Sequence, residues 1–252
     1  MSIADKHAIV SEGGSGAGAA IAEVLAHAGA RVTVLGRREA PLREVAKQHK
    51  AIGWVTCDVT DRDAVGDAFR QARGLNGTVE IVVAAPEGGE RVPFEEMTNE
   101  QLDASLAVNL KSVVHCWQAG LADMRRHDWG RLIAVASMAG LKGSPCVSGD
   151  CAAGFGVVGL TLAVAIELDT SGITVNAICP GYVESRIMDL SRSDIVEKAG
   201  LELDKAKAAL QQISPQRQFN RTDEIAAAAL WLCSEEAGAI NGQVLSPSVG
   251  EN

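Results

Sequence analysis

The sequence predicts an α/β fold, a doubly wound parallel sheet of about seven strands with helices on both faces. Strand-like and helix-like patterns alternate from end to end, which is typical of successive β-α-β units. A glycine-rich stretch at residues 11–18 lies between the first apolar run and the first helical pattern. The chain contains no repeat, low-complexity tract or linker, so we expect residues 1–252 to form one domain.

The elements follow from their hydrophobic periods and from the turn residues between them. The first unit is a buried strand at 7–10, the glycine-rich turn, a helix at 19–28 that Gly29 ends, and a strand at 31–35. The further predicted helices are 41–49, 61–72, 99–126, 152–168 and 223–232. The further predicted strands are 52–55, 80–84, 131–136, 174–179 and 242–245. The first three strands therefore belong to a dinucleotide-type crossover unit.

Charge and composition exclude several classes of partner. The formal net charge is -9 and no Lys/Arg run occurs, which argues against nucleic acid and anionic membranes. The longest apolar run, around residues 155–166, is shorter than the ~20 residues that span a bilayer, and the N-terminus does not resemble a secretory signal. The six cysteines form no C-x-x-C pair, so we expect free thiols, no metal and a cytoplasmic protein.

A strand, a glycine-rich turn and a helix in that order form a phosphate site, because the helix N-terminus offers free N–H groups to an anion. The turn SEGGSGAG keeps Gly16 and Gly18 of the motif T-G-x-x-x-G-x-G, and CDVTD contributes Asp58. VNLKS contributes Asn109 and VASMAG contributes Ser137. Pro180, Gly181 and Ser185 match the motif P-G-x-x-x-T after the sixth strand.

These motifs resemble the classical short-chain dehydrogenase/reductase family over nearly the whole chain. The resemblance implies a Rossmann-type fold and a nicotinamide cofactor. It also implies that Asp58 caps the adenine site, and that Ser137 and Asn109 are the active-site serine and asparagine. The charged segment 185–215 resembles the substrate lid of members that oxidise hydroxyacyl thioesters; a solvated amphipathic cover is the alternative.

The cofactor wall departs from the family pattern. Glu12 replaces the first glycine of the turn, and the family segment N-N-A-G is replaced. Its four positions are Ala84, Ala85, Pro86 and Glu87. A carboxylate about 4 Å from pyrophosphate repels it by about 4 kcal/mol at an effective dielectric near 20, or roughly a thousandfold in affinity. We therefore expect this chain to bind no cofactor, with solvent-facing Glu12 and retained binding as the alternative.

The end of the second strand gives a different indication. Gly36 stands where an NAD-preferring member carries Asp, and Arg37 and Arg38 follow it. Taken alone, these residues suggest a nucleotide with a ribose phosphate.

The catalytic motif Y-x-x-x-K is absent from the chain. Asp150 and Gly154 occupy the positions of its tyrosine and lysine. An aspartate is ionised at neutral pH and cannot donate a proton, unless burial keeps it neutral. Losing a positioned proton-transfer group costs about 10²- to 10⁴-fold in rate. We therefore expect no intact catalytic set, with Ser137 and Asn109 as vestigial members.

The segment 152–168 is apolar on all sides, so it must be buried on all sides, although one domain core covers only one face. In the family this helix forms part of a subunit interface, so we expect an oligomer.

These features predict a catalytically inactive subunit, a pseudoenzyme, of a heteromeric short-chain alcohol dehydrogenase. It would scaffold an active homologue, in a heterotetramer, that oxidises a hydroxyacyl-CoA-type secondary alcohol with NAD held by that partner. The combination of losses resembles inactive subunits of heteromeric members in anaerobic toluene degradation. The chain on its own is then expected to be no enzyme. The alternatives are a nicotinamide-independent lyase or hydrolase that uses Asp150 as base with Ser137 and Asn109 as donors, and a ligand-sensing protein.

Overall fold

The computed structural model describes residues 3–184 and 218–248, and within them a seven-stranded, all-parallel sheet. The strand order is β3-β2-β1-β4-β5-β6-β7. The strands are β1 His7–Ser11, β2 Arg31–Gly36, β3 Ile52–Thr56, β4 Ile81–Ala84, β5 Gly130–Val135, β6 Ile173–Ile178 and β7 Val244–Leu245. The predicted doubly wound fold with seven strands is confirmed.

Helices connect the strands on both faces of the sheet. In the described part of the chain they are α1 Gly16–His27, α2 Glu39–Ala46, α3 Arg62–Asn76, α4 Asn99–Leu106, α5 Ser112–His127, α6 Ser148–Glu167 and α7 Thr222–Cys233. Short 3-10 turns lie at Phe94–Glu96, Met138–Gly140 and Glu235–Ala237. The second helix begins and ends earlier than the predicted 41–49, at Glu39 and Ala46.

Two hydrophobic cores sandwich the sheet, because strands covered on both faces carry apolar side chains in both directions. All five residues of β1 and all six of β5 are buried. One core joins the sheet to α1 and α7, whose side chains pack on each other, and the other joins it to α3, α5 and α6. This packing fixes the carboxyl ends of the strands along one edge.

The chain order reverses between β1 and β4, which are neighbours in the sheet although two strands and three helices separate them in sequence. In open α/β sheets the ligand crevice lies at such a switch point, beyond the carboxyl ends of the strands. The loops that follow β1, β2, β4 and β5 therefore form the candidate site.

The predicted helix 99–126 is interrupted. Between α4 and α5 the backbone forms a π-helical stretch, Ala107–Lys111, which contains Asn109. Short π-helical insertions within α-helices frequently occur at functional sites. Hydrophobic periodicity did not indicate it, because one widened turn leaves the apolar pattern on either side intact.

Helix α6 carries apolar side chains on both its inward and its outward sides. By length and composition alone it could cross a membrane, with a mean hydropathy of 1.7. Its inward side packs on β6 and on the turn Met138–Gly140. Its outward side exposes Phe155, Leu162 and Ile166, of which Ile166 is 73% exposed. The chain thus presents an uncovered apolar surface, which we call the α6 face, defined by these three residues.

Candidate active site and nucleotide cleft

The turn after β1 has a tightly packed backbone. A Cβ on Gly18 would stand 2.5 Å from the carbonyl oxygen of Glu12, and one on Gly13 would stand 2.7 Å from Val34. Neither position has room for a side chain. Glu12 itself adopts φ +49, in the left-handed region that non-glycine residues rarely occupy. The replacement of the family glycine is therefore accommodated by a strained backbone.

A cavity of about 610 Å³ lies beside this turn. It is within the size range of small-molecule sites. Its lining residues are Glu12, Gly14, Ser15, Gly36, Arg37, Arg38, Pro41, Leu42, Glu87, Gly88 and Gly89. We call it the nucleotide cleft. Glycines 16 and 18 shape the adjoining turn, and Asp58 does not belong to the lining.

The carboxylate of Glu12 is directed toward the end of β2. Its Oε2 atom lies 3.9 Å from the position that a Cβ on Gly36 would take. Burial raises the pKa of this carboxyl; the nearby Arg37 opposes that shift, and Glu87 and Asp58 add to it. The partly buried Glu12 carboxylate thus lies near Gly36, the last residue of β2, which has no side chain.

Asp58 is engaged locally. Its Oδ1 accepts hydrogen bonds from the amide of Thr60 at 3.0 Å and from the Thr60 hydroxyl at 2.7 Å. These two hydrogen bonds lower the pKa of the Asp58 carboxyl. The side chain holds the loop after β3 in place.

The segment that follows β4 runs from the sheet into the cleft. Ala84 and Ala85 are buried, and the Ala85 amide donates to Ser11 Oγ at 3.1 Å. Pro86 lines a second, small cavity, and Glu87 lines the nucleotide cleft. Of the four replaced positions, Pro86 and Glu87 therefore line a cavity, whereas Ala84 and Ala85 are buried.

The small cavity has a volume of about 30 Å³ and lies at the carboxyl end of β5. Its lining residues are Pro86, Gly88, Asn109, Ala136, Ser137, Asp150 and Gly154. The fold thus brings together the four positions that the sequence singled out as catalytic or vestigial. We call it the catalytic cavity.

Asp150, on the first turn of α6, accepts two hydrogen bonds at Oδ1. Ser105 Oγ donates at 2.6 Å and Asn109 Nδ2 at 3.3 Å. Asn109 Nδ2 also donates to the carbonyl of Gly88 at 3.0 Å. The Asp150 carboxylate packs directly against Gly89, which has φ +137, so no side chain fits there. Asp150, at the position of the family's tyrosine, thus contacts α4, the π-helical stretch and the segment after β4.

Sequence reasoning missed Ser105, although a signal was present. Ser105 lies four residues before Asn109, and residues at this spacing share one face of a helix. A search of that face for polar residues would have found it. The close approach of Asp150 to Gly89 had no such signal, because these residues lie in distant segments.

Ser137 follows β5 and begins the 3-10 turn. Its Oγ accepts from the amide of Ala139 at 3.1 Å. No histidine lines the catalytic cavity, and the described residues contain no group of three His, Cys, Asp or Glu that could hold a metal. Ser137 therefore has no histidine beside it in the described lining that could serve as its general base.

An outer cleft of about 200 Å³ adjoins the catalytic cavity and opens beside the ends of β5 and β6. Ser137 and Asp150 line both spaces. Arg91 and Lys142 bring positive charge to its wall, and Tyr182 brings the only tyrosine of the chain. Ser185 and the predicted lid 185–215 lie outside the described residues.

The two ends of the site differ in their fit to a nicotinamide dinucleotide. The nucleotide cleft is large enough for an adenosine diphosphate moiety and has a helix N-terminus beside it. The catalytic cavity, at about 30 Å³, holds about one water molecule, whereas a cavity that binds benzene measures about 150 Å³. The residues present fit the adenosine half, and next to it the catalytic cavity opens into the larger outer cleft through Ser137 and Asp150.

Comparison with known proteins identifies the relatives of the chain. The profile of the family described as "short chain dehydrogenase" matches residues 6–195. A D-beta-hydroxybutyrate dehydrogenase of Cupriavidus necator is 34% identical over 95% of both chains. An acetoacetyl-CoA reductase of the same organism is 31% identical over 96% of both chains. A crystal structure of an actinorhodin polyketide ketoreductase variant with NADPH superposes with a TM-score of 0.93, at 28% identity, over 100% of this chain and 99% of that one.

These findings correct one prediction. The expectation that the chain on its own is no enzyme is wrong, because relatives that span its length are named dehydrogenases and reductases. They also do not favour the lyase or hydrolase alternative, and they do not confirm the expected absence of a cofactor. The sheet topology, the family match and these relatives together show that the chain belongs to the short-chain dehydrogenase family of oxidoreductases.

Proposed function

We propose that the chain is an oxidoreductase subunit of a heteromeric short-chain dehydrogenase, which oxidises the secondary alcohol of a hydroxyacyl-CoA-type substrate with NAD. One observation carries the proposal. Asp150 and Gly154 stand where the family places its proton-transferring tyrosine and its lysine, and the surrounding backbone leaves no room for a lysine. We propose that the chain acts as an oxidoreductase together with a homologous subunit that retains both residues and holds NAD.

The substrate class rests on the relatives and on charge. Two relatives are named for D-beta-hydroxybutyrate and for acetoacetyl-CoA. Arg91 and Lys142 on the outer cleft supply the positive charge that binds phosphate groups such as those of CoA. At the inner end, Ser137 Oγ accepts from Ala139, which leaves its own proton to donate to a substrate oxygen.

The partner is a homologous chain, and the α6 face supports this choice. Monomeric proteins rarely leave contiguous large apolar side chains uncovered, so the exposed Phe155, Leu162 and Ile166 favour a subunit contact. A heterotetramer of two such pairs is proposed, by resemblance to the (hydroxybenzyl)succinyl-CoA dehydrogenase of anaerobic toluene degradation. We propose a cytoplasmic assembly that binds neither nucleic acid nor membranes, in keeping with the net charge of -9.

The test is co-expression of the chain with homologues that carry Y-x-x-x-K, followed by native mass spectrometry and an assay of alcohol oxidation. The expected result is a hetero-oligomer whose turnover disappears when the partner's tyrosine is replaced by phenylalanine. Asp150→Asn in this chain is the matched variant, and it should leave most of the turnover. A homo-oligomer of this chain with full turnover would overturn the heteromeric proposal.

A further inference from the structure

The nucleotide cleft contains an acid at an unexpected place. In dinucleotide-binding folds, an acidic side chain near the end of the second strand binds the ribose hydroxyls, whereas an arginine there accommodates a ribose phosphate. Strand β2 ends in Gly36, which has no side chain to offer. The Glu12 carboxylate fills this space, with Oε2 3.9 Å from the position of a Cβ on Gly36. An aspartate or glutamate at position 36 would place its own oxygens in the same region.

Backbone contacts within the turn fix the position of Glu12. Its carbonyl oxygen fits against Gly18, where a Cβ would approach to 2.5 Å, and the next residue, Gly13, fits against Val34 on β2. These contacts hold the backbone of Glu12 at φ +49. Since the turn cannot shift without breaking them, the direction in which the Glu12 side chain leaves the backbone is fixed, and its Oε2 atom lies near Gly36.

The arginines on the rim do not determine the charge at this point. Arg37 and Arg38 are exposed, whereas Glu12 is partly buried, so water screens the arginines more strongly. Glu87 adds a second carboxylate to the same lining. A phosphate on the ribose would meet partly buried negative charge before it reached the guanidinium groups.

We propose that Glu12 is the specificity-determining acid of this cleft: its carboxylate accepts hydrogen bonds from the free 2′- and 3′-hydroxyls of an adenosine diphosphate moiety and excludes a ribose phosphate. The ligand class is therefore the nucleotide without a 2′-phosphate, contrary to what Gly36, Arg37 and Arg38 indicate by themselves. This inference goes beyond the proposed function and holds whether or not a partner is present, because every residue involved belongs to this chain.

The experiment is calorimetric titration of the full chain with ADP-ribose and with 2′-phospho-ADP-ribose. Neither probe carries nicotinamide, so the narrow catalytic cavity does not affect the comparison. Wild type should bind ADP-ribose at least about tenfold more tightly than its 2′-phosphorylated form. This ratio corresponds to part of the repulsion between two close charges, because water and salt screen the rest. Equal binding, preference for the phosphorylated probe, or binding of neither would overturn the proposal.

Three variants test whether Glu12 causes the preference for ADP-ribose. Glu12→Gln removes the charge and keeps the shape, so it should lower the preference to about twofold or less. Glu39→Gln is the matched control, because it removes an exposed carboxylate from α2 outside the cleft lining and should leave the preference in place. Gly36→Asp combined with Glu12→Gly should restore the preference for ADP-ribose. Position 36 has room for the aspartate, because the atom nearest to its Cβ would be Leu42 Cδ2 at 3.4 Å. Circular dichroism checks folding, and a folded double variant without preference would contradict the assignment.

Discussion

Gly154 of α6 lies directly against Gly140 of the turn after β5. A Cβ on Gly154 would stand 2.7 Å from the Gly140 nitrogen and 2.9 Å from its Cα. In the reverse direction, a Cβ on Gly140 would stand 2.9 Å from the Gly154 carbonyl oxygen. The Gly140 backbone therefore occupies the space into which a lysine side chain at position 154 would extend.

This contact predicts the sign of a stability change. An Ala for Gly replacement inside a helix usually stabilises by about 0.5–1 kcal/mol, but Gly154→Ala must displace backbone and should destabilise by about 1–3 kcal/mol. Gly159→Ala is the control, because Gly159 lies on the same helix with no atom within 4 Å of its Cβ position. Urea unfolding measures both. Equal stabilisation of the two variants would show that the contact is loose.

The same contact limits any attempt to restore the family motif. Replacing Gly154 by lysine adds the same Cβ within 2.7 Å of the Gly140 backbone, whatever stands at position 150. Restoring the lysine would therefore also require the turn Met138–Gly140 to move away from α6.

Ser105 and Asp150 form the second testable contact, a hydrogen bond of 2.6 Å between α4 and α6. Hydrogen bonds to charged groups contribute about 1.5–3 kcal/mol. A double-mutant cycle of Ser105→Ala and Asp150→Asn should therefore give a coupling energy of about 1–2 kcal/mol in the free energy of unfolding. The single variants serve as each other's controls. Additive effects would mean that the hydrogen bond contributes little.

How far the sequence predicts this molecule depends on the range of the interactions. Strand patterns and the glycine turn are local, so seven strands and their order of occurrence follow from periodicity, and the motif spacing places Ser137, Asn109, Asp150 and Gly154 at one cavity. The direction of the Glu12 side chain is not local. It depends on Gly18 and on Val34 packing against the turn, which no pattern along the chain reveals.

The prediction that the chain on its own is no enzyme was wrong for a related reason. The prediction gave a few replaced cofactor and catalytic positions more weight than the rest of the chain, whereas the similarity to named dehydrogenases and reductases extends over about 95% of its length.

The α6 face predicts an effect on assembly without one on folding. Ile166→Ser should weaken self-association or heteromeric association at least about tenfold, since a fully buried isoleucine contributes about 1.5–3 kcal/mol. The side chain is 73% exposed in the chain alone, so its loss should change the free energy of unfolding of the isolated subunit little. Leu75→Ser is the control, because Leu75 is 60% exposed on α3, on another part of the surface. Sedimentation velocity measures the association; unchanged association would remove the α6 face as an interface.

Asp123 predicts how stability depends on pH. This carboxylate on α5 is buried, accepts from Arg73 Nε at 2.6 Å and from the Val79 amide at 3.1 Å, and forms a longer ion pair with Arg126. Burial acts to raise the pKa of Asp123, but the hydrogen bonds from Arg73 and Val79 and the two arginine charges outweigh it, so the pKa is lowered. Its ionisation therefore stabilises the fold above the unfolded value of about 3.9, and this contribution is lost as the pH falls through the lower folded value.

Asp123→Asn should lower the free energy of unfolding at neutral pH by about 3–5 kcal/mol, because it breaks a buried pair and leaves Arg73 without its anion. The difference from wild type should shrink as the pH falls below about 4 toward the lower folded pKa, because Asp123 then becomes protonated and, like asparagine, neutral. Asp67→Asn is the control, because its ion pair with Arg70 is exposed and should contribute less than about 1 kcal/mol at any pH. Urea unfolding across this pH range measures both variants. A difference for Asp123→Asn that stays constant with pH would show that the loss comes from packing, because only the ionised carboxylate can make the charge-assisted contacts with Arg73.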